Sequence, residues 1–242
     1  MWYTIQCIDT RTQISYQERQ KMNKTVIFDL DGTLANTAPS LADAMNAVVT
    51  EKGKERIPDD KIISFVGNGI AVLVRKAYAY AGLPCDETAV AEGIERFRFY
   101  YAKNHTEAPS YPGVDELLKK LKEHGVVLGV LSNKPDRFVK PITDTLFGDG
   151  TFAFSVGQTD KPRKPDPTVL LELVALADST PANCIYVGDS DVDVVTAHNA
   201  GVHMCAVSWG FRSEDVLKAA GAEFITDSAE ELLEQIKKIL NL

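Results

Sequence analysis

A doubly wound α/β sheet interrupted by an inserted helical unit is the fold class that the sequence predicts. Three observations predict it. Short apolar runs rich in branched residues alternate with segments of helical period. From Ala35 to Tyr111 that alternation stops, and helix-period segments follow one another without a strand between them. Acidic and polar residues gather directly after several of the apolar runs, where an open parallel sheet binds its ligands. The composition suits a globular chain: 242 residues, 45% hydrophobic and 25% charged, enough to bury a core.

The elements follow in order. Residues 1–21 are polar and lose periodicity after Thr10, so they read as an extension, with Trp2-Tyr3-Thr4-Ile5 as a candidate edge strand. Thr25-Val26-Ile27-Phe28-Asp29-Leu30 is a buried strand. A helix carrying Leu41, Ala44, Met45 and Val48 stops near Gly53, and Asn36 or Thr37 can cap it. A second carries Ile70, Leu73, Val74, Ala77 and Ala81 and ends at Gly82; Arg75, off its stripe, reads as a solvated charge. A third, over about residues 87–103, spaces Ile94, Phe97 and Tyr101 for burial. Leu34–Pro39 and Pro109–Pro112 cross between this block and the sheet, which suggests a lid on a hinge. The expected division is therefore a core of residues 22–36 and 110–242 and a helical cap of residues 37–109.

After the return, Val114, Leu117, Leu118 and Leu121 mark a helix stopped by Gly125. Val126–Leu131, Cys184–Gly188 and Met204–Val207 read as further buried strands, with helices over residues 168–177 and 191–200. Ser228 with Glu231 makes a capping box for a last helix, whose buried stripe is Leu232, Ile236, Ile239 and Leu240.

Several functional classes are excluded. The net charge is −8 and there is no Lys/Arg block, which argues against a nucleic-acid partner. No apolar run approaches the ~20 residues of a membrane span. Met1-Trp2-Tyr3-Thr4 offers neither a basic nor an apolar signal region, so the expectation is a cytoplasmic protein. Cys7, Cys85, Cys184 and Cys205 contain no CxxC pair and read as free thiols. His105, His124, His198 and His203 lack zinc spacing.

The chemistry gathers at the strand ends. Asp29 and Asp31, two apart, point to one side while Leu30 enters the core, and Gly32 permits a tight turn. Two carboxylates so close repel unless a cation or proton lies between them. Ser132 and Asn133 offer a hydroxyl and an amide to phosphate oxygens. Lys164, stiffened by Pro165 and Pro167, supplies an amine. Gly188-Asp189-Ser190-Asp191-Val192-Asp193 brings further carboxylates, although Gly-Asp after a strand can also simply cap a helix. Each piece alone has an ordinary structural explanation. Converging on one rim, they are the parts of metal-dependent phosphoryl transfer.

Asp29-Leu30-Asp31-Gly32-Thr33, Ser132-Asn133, Lys164-Pro165 and Gly188-Asp189 with Asp193 resemble the four ordered signatures of the haloacid dehalogenase superfamily. The resemblance runs from about Lys24 to the C-terminus. Val66-Gly67-Asn68-Gly69-Ile70 and Tyr111-Pro112-Gly113-Val114 look like its phosphoglycolate phosphatase group. Asn36 stands where the superfamily's phosphatases commonly carry aspartate. The resemblance implies that Asp29 is a nucleophile forming an aspartyl-phosphate and Asp31 the acid and base. It implies Mg²⁺ on the Asp29 carboxylate, the Asp31 carbonyl and Asp189, with Asp193 acting through water or as support. It also implies that Ser132 and Lys164 bind the phosphoryl group, with Lys164 restraining Asp29. Thr33 and Asn133 are further candidate substrate contacts. Asn68 and Gly69 are candidates for the cap tip that reaches the site, though a Gly-Asn turn before a helix explains them equally.

The expected function is hydrolysis of a small phosphorylated substrate such as 2-phosphoglycolate. Alternatives are pyrophosphate or sugar-phosphate hydrolysis, or a β-phosphoglucomutase-like isomerase. A receiver-like phosphoacceptor domain would share the topology but lacks the Asp-x-Asp-Gly-Thr sequence and the helical insert.

Overall fold

The computed structural model describes residues 22–103 and 105–242. The candidate strand at Trp2–Ile5 lies outside the described residues. Strand β1 (Thr25–Phe28) is followed by four helices, α1 (Ala38–Glu51), α2 (Asp59–Ile63), α3 (Ile70–Ala81) and α4 (Glu87–Tyr101). Then come α5 (Val114–Glu123), β2 (Val127–Pro135), α6 (Asp136–Phe147), β3 (Phe154–Gln158), α7 (Thr168–Leu176) and β4 (Cys184–Gly188). The chain closes with α8 (Asp191–Ala200), β5 (His203–Val207), α9 (Glu214–Ala219), β6 (Ile225–Thr226) and α10 (Ala229–Leu240).

The six strands form a parallel sheet in the order β3-β2-β1-β4-β5-β6. This is the expected doubly wound topology, with β1 at the centre. Alternation along the strands feeds two cores. Val26, Phe28, Ile185 and Val187 face α5, α6 and α10 through Leu117, Ile142 and Ile236. Ile27, Tyr186 and Ala206 face α7, α8 and α9 through Leu170, Val194 and Leu217. Each such Val, Leu or Ile contributes about 1.5–3 kcal/mol on full burial. The first core continues without a break into the helical insert, through Leu41, Met45, Val74 and Phe97.

The two connections to the insert are tied together. Ala35 bridges Ser110 in antiparallel sense, the Asn36 N–H donates to Pro109 at 2.9 Å, and the Tyr111 N–H donates to Leu34 at 3.1 Å. Two caps differ from expectation. Thr37 occupies the N-cap of α1, but its hydroxyl donates to Asp31 instead of accepting from the helix. Ser228 caps α10, yet the Glu231 carboxylate accepts from the Asp227 N–H, so only half the box forms. Among the described residues no helix is long and apolar enough to cross a membrane.

Candidate active site

Parallel strands present their carboxyl ends to one rim, and the register fixes what gathers there. Phe28 pairs with Val130 on one side and Val187 on the other. The next residue, Asp29, therefore sits between the ends of β2 and β4, with its N–H donating to the Val187 carbonyl at 2.8 Å. Its carboxylate is buried, and Oδ1 lies 3.0 Å from Lys164 Nζ but accepts no hydrogen bond. Burial pushes the Asp29 carboxyl up to about 7; Lys164 offsets part of this, while Asp193 and Asp31 add to it.

Asp189 follows β4 and is wholly buried. Thr33 donates to its Oδ1 at 2.9 Å and the Phe211 N–H to its Oδ2 at 2.7 Å. Burial, then the charges of Asp193 and Asp29, raise it to about 8 against those hydrogen bonds. A side chain at Gly32 (φ +88°) or Gly210 would collide with the Asp189 carboxylate, so both glycines leave the space the acid occupies. Thr33 thus spends its single hydroxyl proton on Asp189.

Asp29, Asp189 and Asp193 each bring a carboxylate oxygen within 4.8 Å of the others, all buried. Three buried carboxylates gathered this closely suit a hard divalent cation. Asp193 is the least available of the three. Its Oδ1 accepts from Lys164 Nζ at 2.7 Å and its Oδ2 from the Ser190 N–H and hydroxyl. It thereby anchors Lys164 and, through Ser190, caps α8. The cap is Ser190 and not Asp189, which leaves Asp189 to the rim. Burial would lower the Lys164 ammonium, but Asp193 and Asp29 outweigh it and hold the group well above its ordinary range.

Asp31 accepts from the Thr37 hydroxyl at 2.6 Å and from Lys134 Nζ at 2.7 Å, both on Oδ1. Ser132 is buried, and its Oγ accepts the Lys134 N–H at 3.3 Å. The Asn133 side-chain amide donates to the carbonyls of Gly67 and Lys164, and its oxygen accepts the Lys164 N–H, all at 3.0 Å. With both amide protons used, Asn133 clamps the Lys164 loop and the insert to β2.

A cavity of about 60 Å³ opens on this rim, bounded by Asp29, Asp31, Ser132, Lys164 and Asp189 on the sheet side. Leu41, Ile70, Leu73, Phe97 and Tyr101 of the insert form an apolar wall opposite. Gly67 and Gly69 reach the cavity; Asn68 is not among its lining residues, so of the expected tip only Gly69 is there.

Two cations were missed by sequence reasoning. Lys134 is buried on β2, and Arg212, in the loop after β5, donates to the carbonyls of Ile63 and Val66 across to the insert. Lys134 sits one step beyond the recognisable Ser132-Asn133 pair, which is the signal that could have found it. Arg212 has no such neighbour, because its partners lie 146 and 149 residues away in sequence.

A family model described as haloacid dehalogenase-like hydrolase matches residues 26–207. The phosphoglycolate phosphatase of Pseudomonas syringae pv. syringae is 35% identical over 218 residues, covering 88% of this chain and 79% of that one. The enzyme of the same name from Haemophilus influenzae is 34% identical over 216 residues, 87% of this chain and 96% of that one. A crystal structure from Lactobacillus delbrueckii subsp. bulgaricus has a TM-score of 0.83 at 34% identity, covering 89% of this chain and 98% of its own. The matched segment contains all four strand-end groups that meet at the cavity, and on that ground the chain belongs to the haloacid dehalogenase-like hydrolases.

Proposed function

We infer that the chain is a Mg²⁺-dependent phosphatase of small phosphate monoesters, with 2-phosphoglycolate as its substrate. The observation that carries the reading is Asp29. It is a buried carboxylate at the cavity, held 3.0 Å from the Lys164 ammonium and close to Asp189. A carboxylate so fixed at the cavity can attack phosphorus. The choice of ester is supported by the two relatives named phosphoglycolate phosphatase. Residues 37–109 act as a cap over a core of residues 22–36 and 110–242. The free, buried thiols of Cys184 and Cys205 support a reducing, cytoplasmic setting.

Asp29, Asp189 and the Asp31 carbonyl would hold the metal, with Asp193 behind them. When bound, the cation offsets the charge of the Asp29 carboxylate and the phosphoryl oxygens, so that two anions can meet. Asp29 attacks phosphorus in line with the ester oxygen, and the phosphorus–ester bond breaks as an acyl phosphate forms. Asp31 gives its proton to the departing alkoxide. Asp31 then takes a proton from water, whose oxygen attacks phosphorus; the acyl phosphate opens and Asp29 returns as a carboxylate. Proton transfer by a positioned group of this kind contributes about 10²–10⁴-fold. Ser132 and Lys164 bind the oxygens of the transferring group, and the apolar wall of the cap keeps bulk water from it.

A hydrolysis panel tests the reading. It compares 2-phosphoglycolate, pyrophosphate, β-glucose 1-phosphate and nucleotides by kcat/KM, with Mg²⁺ and with a chelator. The expected result is metal-dependent hydrolysis with 2-phosphoglycolate preferred. If another ester is preferred, the substrate assignment fails and the phosphatase class stands. Interconversion of the sugar phosphate without release of phosphate would instead indicate an isomerase.

A further inference from the structure

Among the described residues, three cations line the cavity, and two are turned to partners other than Asp31. Lys164 is held by Asp193, Tyr186 and Asp29. Arg212 donates to the Ile63 and Val66 carbonyls and lies 3.6 Å from the Asp191 carboxylate. Lys134 differs: of its three donors one goes to Asp31 and one faces the Tyr101 hydroxyl, which leaves one free among the described residues. It is nevertheless buried, 6% exposed, with Nζ 4.4 Å from the centre of the Tyr101 ring.

Tyr101 supplies the second observation. It ends α4 of the insert, is 1% exposed and lines the same cavity, and among the described residues its hydroxyl proton has no acceptor. A buried ammonium with a spare donor and a buried phenol whose proton is unused are the donors an anion would satisfy. Their position relative to the scissile bond fixes which anion. Asp31 must come within about 2.7 Å of the ester oxygen to protonate it. Lys134 Nζ is 2.7 Å from Asp31 Oδ1, an oxygen that also accepts from Thr37, so the proton is carried on Oδ2 and Nζ lies within about 8 Å of that ester oxygen. A carboxylate on the carbon next to the ester oxygen falls in that gap.

We propose that Lys134 and Tyr101 form the subsite for a carboxylate carried on the carbon bonded to the ester oxygen. This rests on the phosphatase reading and deepens it, since it makes the substrate class α-carboxylated phosphate esters. Lys134 comes from the sheet and Tyr101 from the insert, so the subsite is complete only with the insert docked. Phe97 and Phe138 complete its apolar surround, where a charge-assisted bond is stronger than in water.

The test uses a pair of non-hydrolysable ligands, 3-phosphonopropionate and propylphosphonate, which differ by a carboxylate against a methyl. Calorimetry gives both dissociation constants in the presence of Mg²⁺ for the wild type, Lys134→Met and Tyr101→Phe. The wild type should bind the carboxylate ligand about 30-fold more tightly. That ratio should fall to about threefold or less in Lys134→Met, and by about three- to tenfold in Tyr101→Phe, the variant less exposed to misfolding. Equal affinities in the wild type, or an unchanged ratio in Tyr101→Phe and in any folded Lys134→Met, would overturn the subsite. Wild-type turnover of 2-phosphoglycolate, measured alongside, keeps the two readings apart. Turnover without the affinity ratio removes the subsite alone, whereas the ratio without turnover removes the phosphatase reading alone.

Discussion

Burial sets the behaviour of the acids at the rim. Asp29 and Asp189 are raised to about 7 and about 8 from an ordinary 3.8, because taking a carboxylate out of water penalises its charged form. In the metal-free protein these groups keep protons that the unfolded chain has released, so their contribution is full below about pH 3.8 and is lost as pH rises through about 7 and 8. A divalent cation favours the charged forms and opposes that loss. Thermal unfolding in chelator should therefore show Tm falling between about pH 5 and 8, and the gain in Tm on adding Mg²⁺ should be larger at the higher pH. A gain that does not change with pH would contradict the assignment of these carboxylates to the metal. Asp29, Asp31, Ser132 and Asp189 could be singled out from sequence because they follow apolar runs, and Lys164 because prolines flank it. Lys134 had only its place beside Ser132-Asn133 to mark it, since its partner Asp31 lies 103 residues away.

The elements that hold those residues are of unequal legibility. Strands β1, β4 and β5 are buried along nearly their whole length and read as continuous branched runs. The edge strand β3 is mostly half-buried and β6 has two residues, so neither carries a clear pattern. The apolar reading of β2 stops at Leu131, but the strand continues to Pro135 because the polar groups of Ser132, Asn133 and Lys134 are engaged by other site residues. Helix α8 shows how an element end serves the site. The Ser190 hydroxyl accepts the Asp193 N–H and donates to the Asp193 carboxylate at 2.6 Å, so one cap fixes the acid that anchors Lys164. Ser190→Ala should cost about 0.5–2 kcal/mol in urea denaturation. An unchanged midpoint and slope would show that the cap contributes nothing.

At the scale of the molecule, the helical insert and the sheet meet over the cavity at several points that are far apart in sequence. Asn133 binds Gly67, Arg212 binds Val66, and Tyr101 comes to lie over Lys134. The strand alternation and its interruption announced both parts of the fold. The contacts between them were not readable, because glycine carbonyls and loop arginines carry no periodic signal. Nor does the net charge of −8 describe the site, where buried acids are matched by buried lysines. On the proposed mechanism Asp29 becomes phosphorylated in each turnover. Acid quench of the enzyme during turnover of 2-phosphoglycolate, followed by borohydride reduction and peptide mass spectrometry, detects the acyl phosphate. Asp29 should be converted to homoserine, dependent on substrate and absent in Asp29→Asn. Turnover with Asp29 unmodified, or with the label on Asp31, would contradict it.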